Sequence, residues 1–130
     1  MKNFKNKVAA ITGAGSGIGQ QLAVLLAKQG CHLSLSDVNE QGLAQTVELV
    51  KDSHVRVTTQ KLDVADRDAM KEWAADTVQN HGSVNMIFNN AGVALGSTVE
   101  GASYEELEWI VNINFWGVVY GTKEFLPLIK

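Results

Sequence analysis

Four glycines, Gly13, Gly15, Gly17 and Gly19, alternate through the string ITGAGSGIGQ directly behind the apolar run VAAIT. Glycine lacks a Cβ, so another group can come close to its backbone. A glycine-rich turn that opens a helix also aims bare N–H groups outward from the positive end of the helix dipole. Such a turn suits a pyrophosphate. A tight turn that only packs a helix on a strand would select glycine as well, so the cluster needs partners. Asp37 is the first of them. It closes the next apolar run, HLSLSD, about twenty residues on, where a carboxylate can accept from both hydroxyls of an adenosine ribose and would repel a 2′-phosphate. Val38 follows, with no Arg or Lys nearby to receive that phosphate, so the pattern favours NAD(H) over NADP(H). Capping of a helix that starts near Asn39 is the alternative use of Asp37, and one side chain could serve both.

The common G-x-G-x-x-G fingerprint is not met, because its last position is Gln20. The string reads T-G-x-x-x-G-x-G instead. With Thr12, Gly13, Gly17 and Gly19 in those places, it resembles the cofactor loop of the short-chain dehydrogenase/reductase family, and the resemblance extends over the whole chain. It implies coenzyme contacts from Gly13, Ser16, Gly17, Ile18 and Gly19. It also implies that Asp63 accepts from the adenine amine while Val64 backs the ring, although an Asp before a helix near Asp66 could equally be a turn residue. In the quartet NNAG, Asn89 to Gly92, the asparagines are expected to brace neighbouring strands. Asn90, Ala91 and Gly92 are expected to line the path of the nicotinamide ribose. NINFWG is similar to the family segment whose second asparagine, here Asn114, holds a water in a proton relay. One turn from Ile110 and Val118, its amide is expected to be buried, and a structural amide is the alternative.

The family's reaction uses a Ser, a Tyr and a Lys four residues after the Tyr. Tyr104 and Tyr120 are the only tyrosines, and Glu108 and Glu124 stand where that Lys would be. Neither tyrosine fits the role. The expectation is therefore an oxidoreductase that moves a hydride between NAD(H) and a small-molecule secondary alcohol or carbonyl. Residues 1–130 form its Rossmann-type coenzyme domain, stopping before the catalytic segment and binding without turnover. A second departure is Asn85, where the family usually has Asp, and a local change near the adenine is expected from it. A non-catalytic dinucleotide-binding or oligomerisation module is the alternative. A Rossmann-like methyltransferase is a remote one, since VAAITGAGSG lacks the acid that class places near its glycines.

The elements that must position these residues alternate. VAAIT, HLSLSD, VRVTTQKLDV and the start of VNMIFNNAG read as strands, each followed by helical periodicity. The first helix repeats apolar residues at Ile18, Leu22, Leu25 and Leu26 and stops at Gly30. The second has Leu43, Val47 and Val50 inward, and the third Met70, Trp73, Ala74 and Thr77. A capping box, Ser103 with Glu106, opens the last helix. Four strand–helix units predict an α/β, doubly wound parallel sheet of Rossmann-like type, with ligands beyond the carboxyl ends of the strands. The last helix has two apolar stripes, Trp109, Ile113, Trp116, Tyr120 and Leu107, Ile110, Val111, Val118, and one sheet cannot cover both. The family resemblance implies a homo-oligomer through residues 103–126.

Composition excludes other classes. Of 130 residues 45% are hydrophobic and 19% charged, as in a soluble globular domain, and a net charge of -3 with 11 scattered Lys and Arg gives no nucleic-acid footprint. The apolar run behind the N-terminal lysines is too short for a signal peptide or a membrane span, so a cytoplasmic protein is expected. Cys31 has no partner in the sequence and reads as a small apolar filler. His32, His54 and His81 share no ligand spacing, so no metal is expected. Ser97 and Ser103 lack a base at recognisable spacing and read as loop and cap residues.

Overall fold

The β-branched and apolar runs pair into one parallel sheet of four strands in the order β3-β2-β1-β4. They are β1 Val8–Thr12, β2 His32–Asp37, β3 Val57–Lys61 and β4 Met86–Phe88. The computed structural model describes residues 3–96 and 98–130. Among the described residues five α-helices flank the sheet: α1 Gly17–Lys28, α2 Glu40–Val50, α3 Arg67–His81, α4 Tyr104–Val111 and α5 Gly117–Ile129. The expected doubly wound α/β arrangement is present.

Strand alternation sorts the core into two layers. Ala9, Ile11, Leu33 and Leu35 meet α1 and α2 through Ala23, Leu26, Leu43 and Val50. Val8 and Ala10 meet the other face, where Met70, Trp73 and Ala74 of α3 pack with Phe125 of α5. On that second face the polar residues of β2 are satisfied. Ser34 Oγ lies 2.7 Å from Thr77 Oγ1 and accepts from Trp73 Nε1 at 3.0 Å. Cys31 is fully buried, and burial pushes its thiol up to about 11 despite a backbone hydrogen bond from Ala9, so it stays protonated and inert.

Several expected boundaries and faces differ. The third strand is shorter than its ten-residue β-rich string. After Lys61 only Leu62 N continues the ladder, to Asp37 O, and the chain then turns through Asp66 N to Asp63 O. Ile18 and Leu25 are exposed, because the inward side of α1 is made by Gly19, Ala23, Leu26 and Ala27. In α2 the inward residue is Thr46 rather than Val47. The last helix is not a single α-helix. Between α4 and α5 residues Asn112–Trp116 form a π turn, with Gly117 N–H bonded to Asn112 O. The extra residue shifts the faces of α5. Ile113 and Tyr120 pack on the core, whereas Trp109, Val111, Phe115, Trp116 and Val118 are exposed, so the two stripes do not divide as the spacing suggests.

At the edge farthest from β4, His81 ends α3 with its ring buried. Its Nε2 is 2.8 Å from Thr58 Oγ1, and Nδ1 has no hydrogen-bond partner among the described residues. Burial first, and then the charges of Arg56 and His32, hold its imidazole below the ordinary 6.5. The unfolded chain then takes up this proton at higher pH than the folded chain. The contribution of neutral His81 is therefore complete above about pH 6.5 and is lost as pH falls through the folded value. Urea midpoints should drop between pH 7 and pH 5 more steeply in the wild type than in His81→Gln. Parallel pH profiles for the two proteins would count against a buried neutral imidazole.

Candidate functional site

Strand order reverses between β1 and β4, since β2 and β3 lie on one side of β1 and β4 on the other. In a doubly wound sheet that is where a crevice opens beyond the strand ends. Thr12, the last residue of β1, ties the two strands together there. Its buried Oγ1 accepts from Asn90 N and Ala91 N, both at 2.9 Å, and donates to Phe88 O at 3.3 Å. Asn90 answers through Nδ2, which donates to Thr12 O at 3.2 Å and Gly13 O at 3.3 Å. Asn90 thus braces neighbouring strands, whereas Asn89 turns to α5, its Nδ2 donating to Thr122 Oγ1 at 3.2 Å.

The glycines divide by task. Gly13 and Gly17 take φ of 65° and 54°, in the left-handed region. Among the described residues no heavy atom lies within 4 Å of where a Gly17 Cβ would stand, so its backbone is bare toward the crevice. Gly19 is buried, and a Cβ there would collide with Gly13 O and stand 2.6 Å from Asn90 Nδ2, so its lack of a side chain lets α1 close onto the loop.

A cleft of about 360 Å³ occupies the crevice, and it gathers Gly13, Ser16, Gly17, Ile18, Asp37, Asp63, Val64, Asn90, Ala91 and Gly92. Residues more than seventy apart in sequence meet there, as the fold requires. Asp37 is held from both sides: Gly15 N donates to Oδ2 at 2.8 Å and Asn39 N to Oδ1 at 3.0 Å. Asn39 caps α2, its side chain accepting from Gly42 N, so the capping alternative for Asp37 falls to its neighbour. Asp63 Oδ1 accepts from Ala65 N at 2.9 Å, while Asp66 caps α3. Asp63 is both a turn residue and a wall of the cleft. None of the described residues that line the cleft is Lys or Arg. Leu62, Val93 and Ile113 also line it and carry no signal in the sequence, because only their neighbours belong to a motif.

Asn114 does not line the cleft and is exposed, against the expected buried amide. It sits in the π turn and clasps Val93, accepting from Val93 N at 2.8 Å and donating to Val93 O at 2.7 Å. The partner comes from the loop after β4, which helical spacing could not disclose. Asn85 is at the other end of the sheet. Its Oδ1 accepts from Val8 N at 2.8 Å and its N–H donates to Val8 O, so the departure from Asp touches the start of β1 and not the crevice. Ser103 caps α4 in the expected box with Glu106. Ser97 lies outside the described residues. Among the described residues no group of three His, Cys, Asp or Glu could hold a metal ion, and no helix is long and apolar enough to cross a membrane.

A family model described as short chain dehydrogenase matches residues 7–130. The chain belongs to the short-chain dehydrogenase family. Among its curated relatives, "Putative oxidoreductase SadH" of Mycobacterium tuberculosis is 46% identical over 127 residues, covering 98% of this chain and 46% of that protein. The cyclohexanol dehydrogenase of an Acinetobacter species is 35% identical over 128 residues, 97% of this chain and 51% of that one. A crystal structure of a short-chain dehydrogenase/reductase from Burkholderia phymatum in complex with NAD superposes with a TM-score of 0.94 at 36% identity. It covers 99% of this chain and 46% of its own. The chain spans about half the length of the short-chain dehydrogenases it matches.

Proposed function

We propose that these 130 residues are the coenzyme-binding part of an oxidoreductase that moves a hydride between NAD(H) and a small secondary alcohol or carbonyl compound. The observation that carries this reading is the fixed Asp37 carboxylate, which faces a glycine-lined cleft with no cation in its described wall. Its membership of the short-chain dehydrogenases and the NAD complex of a similar protein support the same coenzyme. Family membership leaves the methyltransferase alternative without support.

The residues fit a dinucleotide. The bare backbone at Gly17, at the start of α1, suits a pyrophosphate. Asp37 retains lone pairs for the two ribose hydroxyls beyond the two that its backbone partners take. Asp63 and Val64 take the adenine, and Asn90, Ala91 and Gly92 line the way to the second ribose. Bound NAD(H) would supply the hydride acceptor or donor, and this chain orients it. Asn114 holds the Val93 loop, and the ordering of a water in the proton relay is assigned to its amide.

By itself the chain binds coenzyme without turnover. Tyr104 is 86% exposed on α4, Tyr120 stacks on Trp116 at 5.9 Å, and neither has a Lys four residues on. The remaining catalytic groups are assigned to residues outside 1–130. A cytoplasmic location and a homo-oligomer through residues 103–126 belong to the same proposal. The exposed Trp109, Phe115 and Trp116 support the oligomer.

Asp37→Ala tests the coenzyme assignment. Hydrogen bonds to a charged group contribute about 1.5–3 kcal/mol each, so losing two ribose bonds should weaken NADH binding by at least about 100-fold in a fluorescence titration. NADPH should suffer less, because a repelling charge leaves with the carboxylate. Equal affinity of Asp37→Ala and wild type for NADH would end the assignment.

A further inference from the structure

Thr46 touches nothing in the cleft, yet its hydroxyl is fully buried and its nearest partner is not on its own helix. A helical threonine ordinarily bonds back to the carbonyl one turn earlier, here Gly42 O at 3.1 Å. Thr46 Oγ1 instead donates to Ala14 O at the shorter distance of 2.7 Å, and it has a single proton to give. Gln20 Nε2 donates to Thr46 Oγ1 at 3.0 Å and reaches Gly15 O at 3.4 Å. Position 20 is where the common dinucleotide fingerprint would carry glycine. The amide that replaces it ties the loop to α2.

Ala14 C=O and Gly15 N–H are the two ends of one planar peptide unit. Thr46 holds the carbonyl end, and the N–H end donates to Asp37 Oδ2 at 2.8 Å. The orientation of that plane therefore directs the Oδ2 side of the carboxylate, while Asn39 N holds Oδ1. Packing is close on every side. A Cβ on Gly15 would stand 2.9 Å from Asp37 Oδ2, and one on Gly42 would stand 2.5 Å from Gly15 O.

We infer that Thr46, backed by Gln20, is a positioning residue that sets the preference for NADH over NADPH by holding the Ala14–Gly15 peptide against Asp37. The inference rests on the proposed role of Asp37 at the ribose. Asp37 attracts the diol and repels the 2′-phosphate, so a residue acting through it moves the ratio of the two affinities. A residue that only fills the core moves both together.

Thr46→Val keeps the volume and removes the hydroxyl, whereas Thr46→Ser keeps the hydroxyl. In titrations of the 130-residue chain, Thr46→Val should bind NADH about fivefold more weakly, the effect of about one hydrogen bond, with NADPH little changed. Thr46→Ser should restore the ratio. An unaltered NADH/NADPH ratio in Thr46→Val would overturn the inference. Amide exchange at Gly15 without coenzyme gives an independent readout, since its N–H should lose protection in the Val variant and keep it in the Ser variant. Wild type that binds neither coenzyme would defeat the proposed function, and Gly15 exchange would then judge the clamp alone, equal protection in both variants overturning it. If Thr46→Val gives no cooperative melt, Gln20→Leu takes its place, with a smaller narrowing of the ratio expected and an unchanged ratio overturning the inference.

Discussion

Gly19→Ala should abolish NADH binding at millimolar coenzyme and destabilise the chain by about 3 kcal/mol, the upper part of the range for forcing extra volume into a packed interior. The added methyl would collide with Gly13 O and stand 2.9 Å from Gly13 C and 2.6 Å from Asn90 Nδ2. Two of those atoms are backbone, so no rotamer change relieves the contact. Either α1 lifts away from the loop or the loop moves toward the cleft. Moving Gly13 would also break its bond from Asn90, which braces β4 against β1. Gly96→Ala is the control, since no atom of the described residues lies within 4 Å of its would-be Cβ. Urea unfolding and NADH titration of both variants check this. If Gly19→Ala bound NADH within about threefold of wild type, α1 could not be seated on the loop through this residue.

The same loop shows what a sequence discloses and what it hides. The glycines and Asp37 are legible because their chemistry depends on residue type and on a spacing fixed by one strand–helix–strand unit. Thr46 is hidden for the opposite reason. Periodicity in α2 allows either Thr46 or Val47 inward, and hydropathy favours Val47. The Ala14 carbonyl beneath the helix decides for the hydroxyl, and only the folded chain shows that carbonyl there. Asn114 is similar. Its apolar neighbours suggest burial, but its amide bonds Val93 from an exposed turn, a pairing over 21 residues that no helical repeat encodes. The π turn that places it carries no propensity signal, and the extra residue redistributes the faces of α5. Asn85 directly precedes β4, so in a parallel sheet it belongs at the amino ends of the strands, away from the crevice, and only the fold shows that it meets Val8 there.

Phe125→Ala should cost about 3–5 kcal/mol, a large part of the roughly 5–15 kcal/mol that holds a domain together. Phe125 is fully buried and meets Trp73 edge-on, with ring centroids 4.9 Å apart at 66°. Trp73 continues the contact inward by donating to Ser34 Oγ, and Ser34 meets Thr77, so the ring couples α5 to α3 and to β2. The consequence reaches the cleft. At its other end α5 begins with Gly117 closely packed against Val64, a residue of the cleft wall, and before it comes the turn whose Asn114 holds Val93. Removing the ring therefore loosens the support behind the Val64 wall of the cleft as well as the core. Urea unfolding should show the midpoint falling sharply. Tyr104→Ala, at a side chain 86% exposed, should stay within about 0.5 kcal/mol of wild type. A Phe125→Ala chain as stable as Tyr104→Ala would mean that α5 is not docked on α3. The wall behind Val64 would then need another support.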